Sequence, residues 1–340
     1  MLRGLCVSSA IAAVVLALGA CGNATPDAPD ADVEDDAGDD GASATATSAV
    51  TVIVEPSDDG QALLSSINAA KTSLHMTMYL LTWNSVVDAL IAKKKAGLEV
   101  EVVLNQNFPT QGQSNDSVFT QLQNGGVDVV WAPSNFQYTH EKAVIIDGTS
   151  AWIMTMNVTY TSSTDNREYL ALDTDPDDVA EADQIFQADF TGSPITPAGK
   201  LVVAPNARPP LLALIAGATS TLDVEDEELS DDAIVSAISD AHDRGVAVRV
   251  VLSDDTPTSA QSSAVQTLEG EGIDVRKLST PYVHAKAIVA DGTVAYVGSE
   301  NLTANSLDAN RELGLMIDAP SEVSKVSTTI AGDFGAGVTY

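Results

Sequence analysis

The chain has 340 residues, with 16 Lys and Arg against 48 Asp and Glu, and a formal net charge of −32. So acidic a balance argues against nucleic acid as a partner, because phosphate backbones are held by clustered Lys and Arg. The two cysteines, Cys6 and Cys21, both lie near the N-terminus, so the long body carries no thiol for a disulfide.

The first segment reads as targeting rather than structure. Arg3 precedes the apolar run Leu5 to Leu18, and Leu18-Gly19-Ala20-Cys21 follows as a cleavage site, giving a signal peptide over residues 1–20. The small residues before Cys21 resemble the lipobox of bacterial lipoproteins. That resemblance implies a diacylated Cys21 at the mature N-terminus and anchorage in the cell envelope, at the outer membrane or cell surface. Residues 21–50 read as an acidic disordered tether, mixing Pro, Ala, Ser and Thr with eight carboxylates between Asp27 and Asp40. No later stretch is long and apolar enough to span a bilayer.

The body divides into two halves, 51–198 and 199–340, that repeat one another. The first shows a helix over 86–95 closed by Gly97, a buried strand over 102–104, Gly126-Val127-Asp128-Val129, and then His140-x-Lys142-x4-Asp147. The second shows a helix over 232–244 closed by Gly245, a strand over 248–252, Gly272-Ile273-Asp274-Val275, and His284-x-Lys286-x4-Asp291. Asn157, Arg167-Glu168 and Asp189-Phe190 recur as Asn301, Arg311-Glu312 and Asp333-Phe334. The offset is 148 at Gly97 and Gly245, 146 at Gly126 and Gly272, and 144 from the histidines onward, so the length changes fall in loops. The pattern predicts two α/β lobes about a pseudo-twofold axis, each on a mixed or parallel sheet.

One motif already constrains the chemistry. On a strand, His140 and Lys142 project from the same face, with Val144 and Ile146 continuing it. Asp147-Gly148 predicts a tight hairpin, which on this reading returns residues 153, 155 and 157 on that face and brings Thr155 and Asn157 beside His140. The second copy does the same for His284, Lys286, Ser299 and Asn301 around Asp291-Gly292. Two lysines and two amides can hold the non-bridging oxygens of a phosphodiester, so no metal or cofactor is required. Two imidazoles allow one to attack phosphorus while the other protonates the leaving oxygen. Glu168 and Glu312 can orient those rings. Asp147 and Asp291 stand at the wrong parity for catalysis and read as turn supports. Tyr138 and Tyr282, each two residues before a motif histidine, are pocket candidates. His75 and His242 lack repeat partners and read as structural or solvent-facing. The acidic run Asp223 to Glu228 occupies the strand position of His75 to Leu80 and reads as a solvated strand end, or as a wall that repels anions and favours a cationic headgroup.

These residues resemble the phospholipase D superfamily, whose signature is H-x-K-x4-D-x6-G-S-x-N in two copies. The second copy matches throughout at His284, Lys286, Asp291, Gly298, Ser299 and Asn301; the first has Met154-Thr155 in place of Gly-Ser. Met154 is therefore a further pocket candidate. The resemblance implies two α/β/α sandwich lobes forming one body, and a phosphohistidine intermediate with His140 as nucleophile and His284 as acid and then base. It implies a phospholipid substrate at a membrane surface and a monomer, since one chain supplies both half-sites. A cardiolipin-synthase-like transphosphatidylase, an exported nuclease and an inactive binding lipoprotein are the alternatives.

Overall fold

The Asp-Gly turns organise each half. In the computed structural model, which describes residues 44–340, Asp147 and Gly148 have φ of 55° and 62°, and Asp291 and Gly292 have 54° and 64°. Both positions of such a turn need a left-handed backbone, which Gly and Asp tolerate best. The Asp147 carboxylate then accepts the backbone N–H groups of Lys71, Thr72 and Ser73 at 2.7–3.1 Å, and Asp291 accepts those of Thr219, Ser220 and Thr221 at 2.7–3.1 Å. Each aspartate thus clamps its hairpin tip to the start of a neighbouring strand, away from the chemistry.

The first half runs β1 (Val50–Glu55), α1 (Gln61–Ala69), β2 (Ser73–Met78), α2 (Asn84–Lys95), β3 (Glu99–Leu104), α3 (Asp116–Asn124), β4 (Asp128–Trp131), β5 (Lys142–Ile146), β6 (Ser150–Met154), α4 (Tyr160–Asp165), β7 (Asn166–Asp173) and α5 (Pro176–Thr191). The second runs β8 (Val202–Ala204), α6 (Arg208–Gly217), β9 (Thr221–Asp226), α7 (Asp232–Asp243), β10 (Ala247–Ser253), α8 (Ser259–Gly270), β11 (Val275–Leu278), β12 (Tyr282–Val283), β13 (Lys286–Ala290), β14 (Val294–Gly298), α9 (Ala304–Asp308), β15 (Glu312–Ile317), α10 (Pro320–Ala336) and β16 (Val338–Thr339). Gly97 and Gly245 follow α2 and α7 at φ of 97° and 90°, the conformation that stops a helix.

The sheets are mixed. The first has the order β1-β7-β6-β5-β2-β3-β4 and the second β16-β11-β10-β9-β13-β14-β15-β8. Helical crossovers make β2-β3-β4 and β9-β10-β11 parallel, whereas the other neighbours along each path, the β5-β6 and β13-β14 hairpins among them, are antiparallel. Helices α1 to α3 cover one face of the first sheet through Leu63, Ile67, Val86 and Leu122, and α6 to α8 cover the second through Leu211, Ile234 and Leu268. The inner faces share one core, in which Ile145 and Ile153 meet Val289 and Val297 with α5 and α10 packed among them. Each sheet therefore has helices on both sides, as the α/β/α reading predicts, but the inner layer belongs to both lobes.

Two expectations need correction. Strand β5 pairs with β6 so that Val144 faces Trp152 and Ala143 faces Ile153. That register sets Met154, not residue 153 or 155, opposite Lys142, a one-residue slip that exchanges the two faces. The Met154 side chain is fully buried in the outer core of the first half and is absent from the cleft lining, so it is not a pocket residue. Thr155 and Asn157 lie beyond the end of β6. The tether also ends earlier than residue 50. Thr47 bridges to Ile317 beside β15, its N–H donating to the Met316 carbonyl at 3.1 Å, and β1 begins at Val50. The signal segment, Cys21 and the tether carboxylates from Asp27 to Asp40 lie outside the described residues.

The halves are stitched by reciprocal crossings. Strand β12 pairs with β7, placing the His284 N–H at 3.3 Å from the Arg167 carbonyl, while the His140 N–H donates to the Arg311 carbonyl at 2.8 Å. The arginines cross too. Arg311 forks onto Asp189 of α5 at 2.8 and 3.2 Å, and Arg167 onto Asp333 of α10 at 2.5 and 3.0 Å. These are the Arg and Asp residues whose repetition the sequence displays without assigning them a role. Asp189→Ala, which strands the buried Arg311 charge, should cost about 3–5 kcal/mol in denaturant unfolding. Adding Arg311→Met should recover most of that loss; an unchanged midpoint for Asp189→Ala would show that the pair carries no stability.

Candidate active site

The crossings decide where the histidines sit. With its N–H tied to the opposite half, the His140 ring places Nδ1 at 2.9 Å from Glu312 Oε2, and His284 places Nδ1 at 2.8 Å from Glu168 Oε1. Each histidine thus takes its orienting carboxylate from the other half. Both carboxylates are fully buried and held by further donors. Glu168 accepts from Thr155 at 2.5 Å and Asn166 at 3.1 Å; Glu312 accepts from Ser306 at 2.5 Å and Asn310 at 2.9 Å. Thr155 therefore acts through Glu168. Ser299 accepts the Leu313 N–H at 3.0 Å and supports β15 rather than touching Glu312. Asn166, Asn310 and Ser306 are support residues that sequence reasoning missed, although Asn166 and Asn310 stand at the same offset of 144.

The reactive groups line a cleft of about 500 Å³ formed by His140, His284, Asn157, Asn301, Tyr79, Tyr138, Tyr282, Glu227 and Glu228 together with nearby loop residues. Of the pocket candidates, Tyr138 and Tyr282 are in the wall. Neither Asn157 nor Asn301 has a partner for its buried carboxamide oxygen among the described residues, so both amides stand uncommitted at the cleft. Lys142 and Lys286 are fully buried beneath it, their ammoniums donating to the His140 and His284 carbonyls at 2.5 and 2.6 Å.

The two half-sites differ in charge. Burial, reinforced by the Lys142 and Lys286 ammoniums, lowers the His140 pKa to about 4 despite Glu312, so the ring is neutral near pH 7 and its Nδ1–H points at the carboxylate. Burial also pushes Lys142 down to about 7; it has no carboxylate partner among the described residues and lies 5.2 Å from the Tyr79 ring centroid. Tyr79 stands edge-on to His140 at 4.5 Å between centroids. In the second half the residue at the Tyr79 position is Glu227. Its carboxylate lies 2.8 Å from Lys286 Nζ and 3.5 Å from His284 Nε2, so carboxylates face both nitrogens of that ring. Burial opposes the Lys286 charge, but Glu227, Glu168 and Asp226 hold its pKa above the ordinary value.

Deeper carboxyls lie near this centre without a salt bridge among the described residues. Glu141 is fully buried with neither oxygen partnered, and Glu300 receives only the Tyr296 hydroxyl; burial raises both to about 8. Tyr296 fits because Gly298 and Gly314 leave room: a Cβ at either would meet the Tyr296 hydroxyl within 2.8 Å. Outside the cleft, His75, Glu99 and Glu101 form a group of metal-ligand type. The His75 nitrogens are taken by Asp183 at 2.6 Å and Glu99 at 3.1 Å, so this histidine, read as structural, is a buried ion-pair centre.

A carboxyl with a folded pKa near 8 and an unfolded pKa near 4.3 keeps its proton only when folded, so stability falls as pH rises between those values. Glu300→Gln should therefore unfold later than the parent at pH 8 and together with it at pH 4. An equal midpoint difference at both pH values would refute the protonated carboxyl.

Comparison with known proteins gives the same outline. A family profile described as "Cardiolipin synthase, PLD-like domain" matches residues 63–190 and again 211–334. The chain is 36% identical over 109 residues to the mitochondrial cardiolipin hydrolase of Xenopus tropicalis, covering 32% of this chain and 51% of that protein. It is 23% identical over 322 residues to cardiolipin synthase 2 of Bacillus anthracis, covering 78% of this chain and 60% of that one. The chain thus spans between half and two thirds of the length of these curated relatives. In fold it is similar to the phosphatidylserine synthase of Haemophilus influenzae Rd KW20, with a TM-score of 0.68, 12% identity, and 88% and 89% of the two chains covered.

Proposed function

The chain belongs to the phospholipase D superfamily, and from that membership we propose that it is a metal-independent phosphodiesterase that releases phospholipid headgroups through a phosphohistidine. The observation that carries this reading is the pairing of a neutral His140, its Nδ1–H held by Glu312, with a second histidine backed by Glu168 across one cleft. His140 Nε2 attacks phosphorus and forms the P–N bond. The bond from phosphorus to the headgroup oxygen breaks, and His284 gives that oxygen its proton. Water then attacks phosphorus, yields a proton to His284 Nε2, and displaces His140, leaving phosphatidate and a free alcohol. Lys142, Lys286 and the two amides balance the charge that gathers on the non-bridging oxygens.

A second reading exchanges water for an alcohol acceptor. The long alignment with a cardiolipin synthase favours it, and the same residues would serve, since only the group that resolves the P–N bond differs. Lipidation at Cys21 would hold either enzyme at its substrate's surface, a proposal resting on the Leu18-Gly19-Ala20-Cys21 signal.

Purified full-length protein in detergent, offered phosphatidylcholine and phosphatidylethanolamine with chelator and with or without glycerol, should release headgroup and trap 32P on acid-labile nitrogen. His140→Ala should abolish both; headgroup release that survives in His140→Ala would overturn the assignment. Below its pKa His140 is protonated and cannot attack, so kcat/KM should lose its acidic limb near pH 4 rather than near 6.5. Glu312→Gln should lower kcat on the order of 10³-fold or more, because the ring loses its orienting charge.

A further inference from the structure

Resting on that reading of the cleft, we propose that Glu227 is a resident counter-anion that reserves the second half-site for phosphodiesters whose leaving group carries an ammonium. The argument begins with the repeat. At one position in the fold the first half has Tyr79, beside an unpaired Lys142, and the second has Glu227, ion-paired to Lys286. Nothing in the phosphoryl chemistry asks for a carboxylate there, since it takes the place beside Lys286 and His284 Nε2 that a phosphate oxygen needs. Glu227 is nonetheless held ionised: burial opposes its charge, but Lys286, His284 and the Tyr282 hydroxyl outweigh it and keep its pKa far below the ordinary range.

When a phosphodiester enters and draws Lys286 to itself, Glu227 loses the partner that holds it at 2.8 Å. A largely buried carboxylate left unpaired is disfavoured, and a second anion has just arrived beside it. An uncharged or anionic headgroup leaves that cost standing. A headgroup ammonium removes it, because Glu227 turns from one cation to another. The surroundings suit such a cation. The Tyr282 hydroxyl lies 2.9 Å from Glu227 and 2.6 Å from Asp255, yet it has one proton to give, so one of these carboxylate contacts lacks a hydrogen. Glu228 adds a third carboxyl to the same wall, its pKa raised by burial and by Glu227. Aromatic faces beside carboxylates are what a substituted ammonium prefers. This wall also adjoins His284, the residue that protonates the departing headgroup, so the leaving group and its positive charge fall on the same side.

The test uses full-length wild type and Glu227→Gln in mixed micelles of phosphatidylcholine, phosphatidylethanolamine or phosphatidylglycerol, counting headgroup whether released or transferred. Binding of inorganic tungstate is measured in parallel by calorimetry. Wild type should favour the two ammonium lipids over phosphatidylglycerol at least tenfold in kcat/KM. Glu227→Gln should shrink that ratio tenfold or more and bind tungstate about tenfold more tightly, because the anion subsite is vacated. A wild type that prefers phosphatidylglycerol overturns the proposal without need of the variant, as does a variant with unchanged ratio and unchanged tungstate affinity. Uniform loss of turnover with unchanged tungstate binding would also overturn it, making Glu227 part of the chemical step. If no lipid turns over, the proposed function fails, and tungstate affinity alone decides the role of Glu227.

Discussion

Everything in this molecule depends on the exchange of carboxylates between halves. His140 is oriented by Glu312 and His284 by Glu168, and the backbone that carries each histidine is hydrogen-bonded to the strand entry, in the opposite half, that carries its own glutamate. An imidazole that is to act in one direction needs one tautomer, and both are imposed here by a charge that its own half does not contain. The Arg311–Asp189 and Arg167–Asp333 forks repeat that exchange a layer deeper. The two sheets are free to share one apolar core because the polar seam between them is satisfied pairwise.

Within this shared frame the halves have diverged in polarity. Where the first packs Trp152, Met154, Met156 and Leu170 into a dry outer core, the second has Tyr296, Gly298, Glu300 and Gly314 at the corresponding positions. The glycines of the second motif are spaces for a tyrosine ring that serves a buried carboxyl, and the methionine of the first fills the space that a smaller neighbour set leaves. Met154 in place of glycine is thus a packing change at the back of the sheet. Divergence is sharper at the cleft, where the first half sets Tyr79 beside Lys142 and the second pairs Glu227 with Lys286.

Much of this was legible in the sequence because repetition labels its own constraints. The offset of 144 fixes the halves, the hairpins, the paired histidines, lysines and amides, and the glutamates as orienting groups. What it could not specify is which half each glutamate serves, since a repeat reads identically whether its contacts close within a copy or between copies. The hairpin face was misplaced by one residue, because register is set by how the strands leave the turn and not by counting through it. Glu227 was visible only as part of an acidic run. Its meaning depends on a lysine 59 residues away that the topology brings to 2.8 Å. Residues 44–50 looked like tether because small polar residues give no periodic signal, yet Thr47 lies beside Ile317 of the second half.

The exchanged carboxylates also set a timetable. A chain grows from its N-terminus, and its first half can complete a sheet and bury α1 to α3 while the second is still being made. At that stage His140 and Lys142 exist, but the acid that aligns His140 is 172 residues further along and belongs to the second half. A chain that stops short of residue 312 leaves the His140 ring without that carboxylate. The exchange that orients both rings thus leaves the growing chain without an aligned His140 until its second sheet closes over the first.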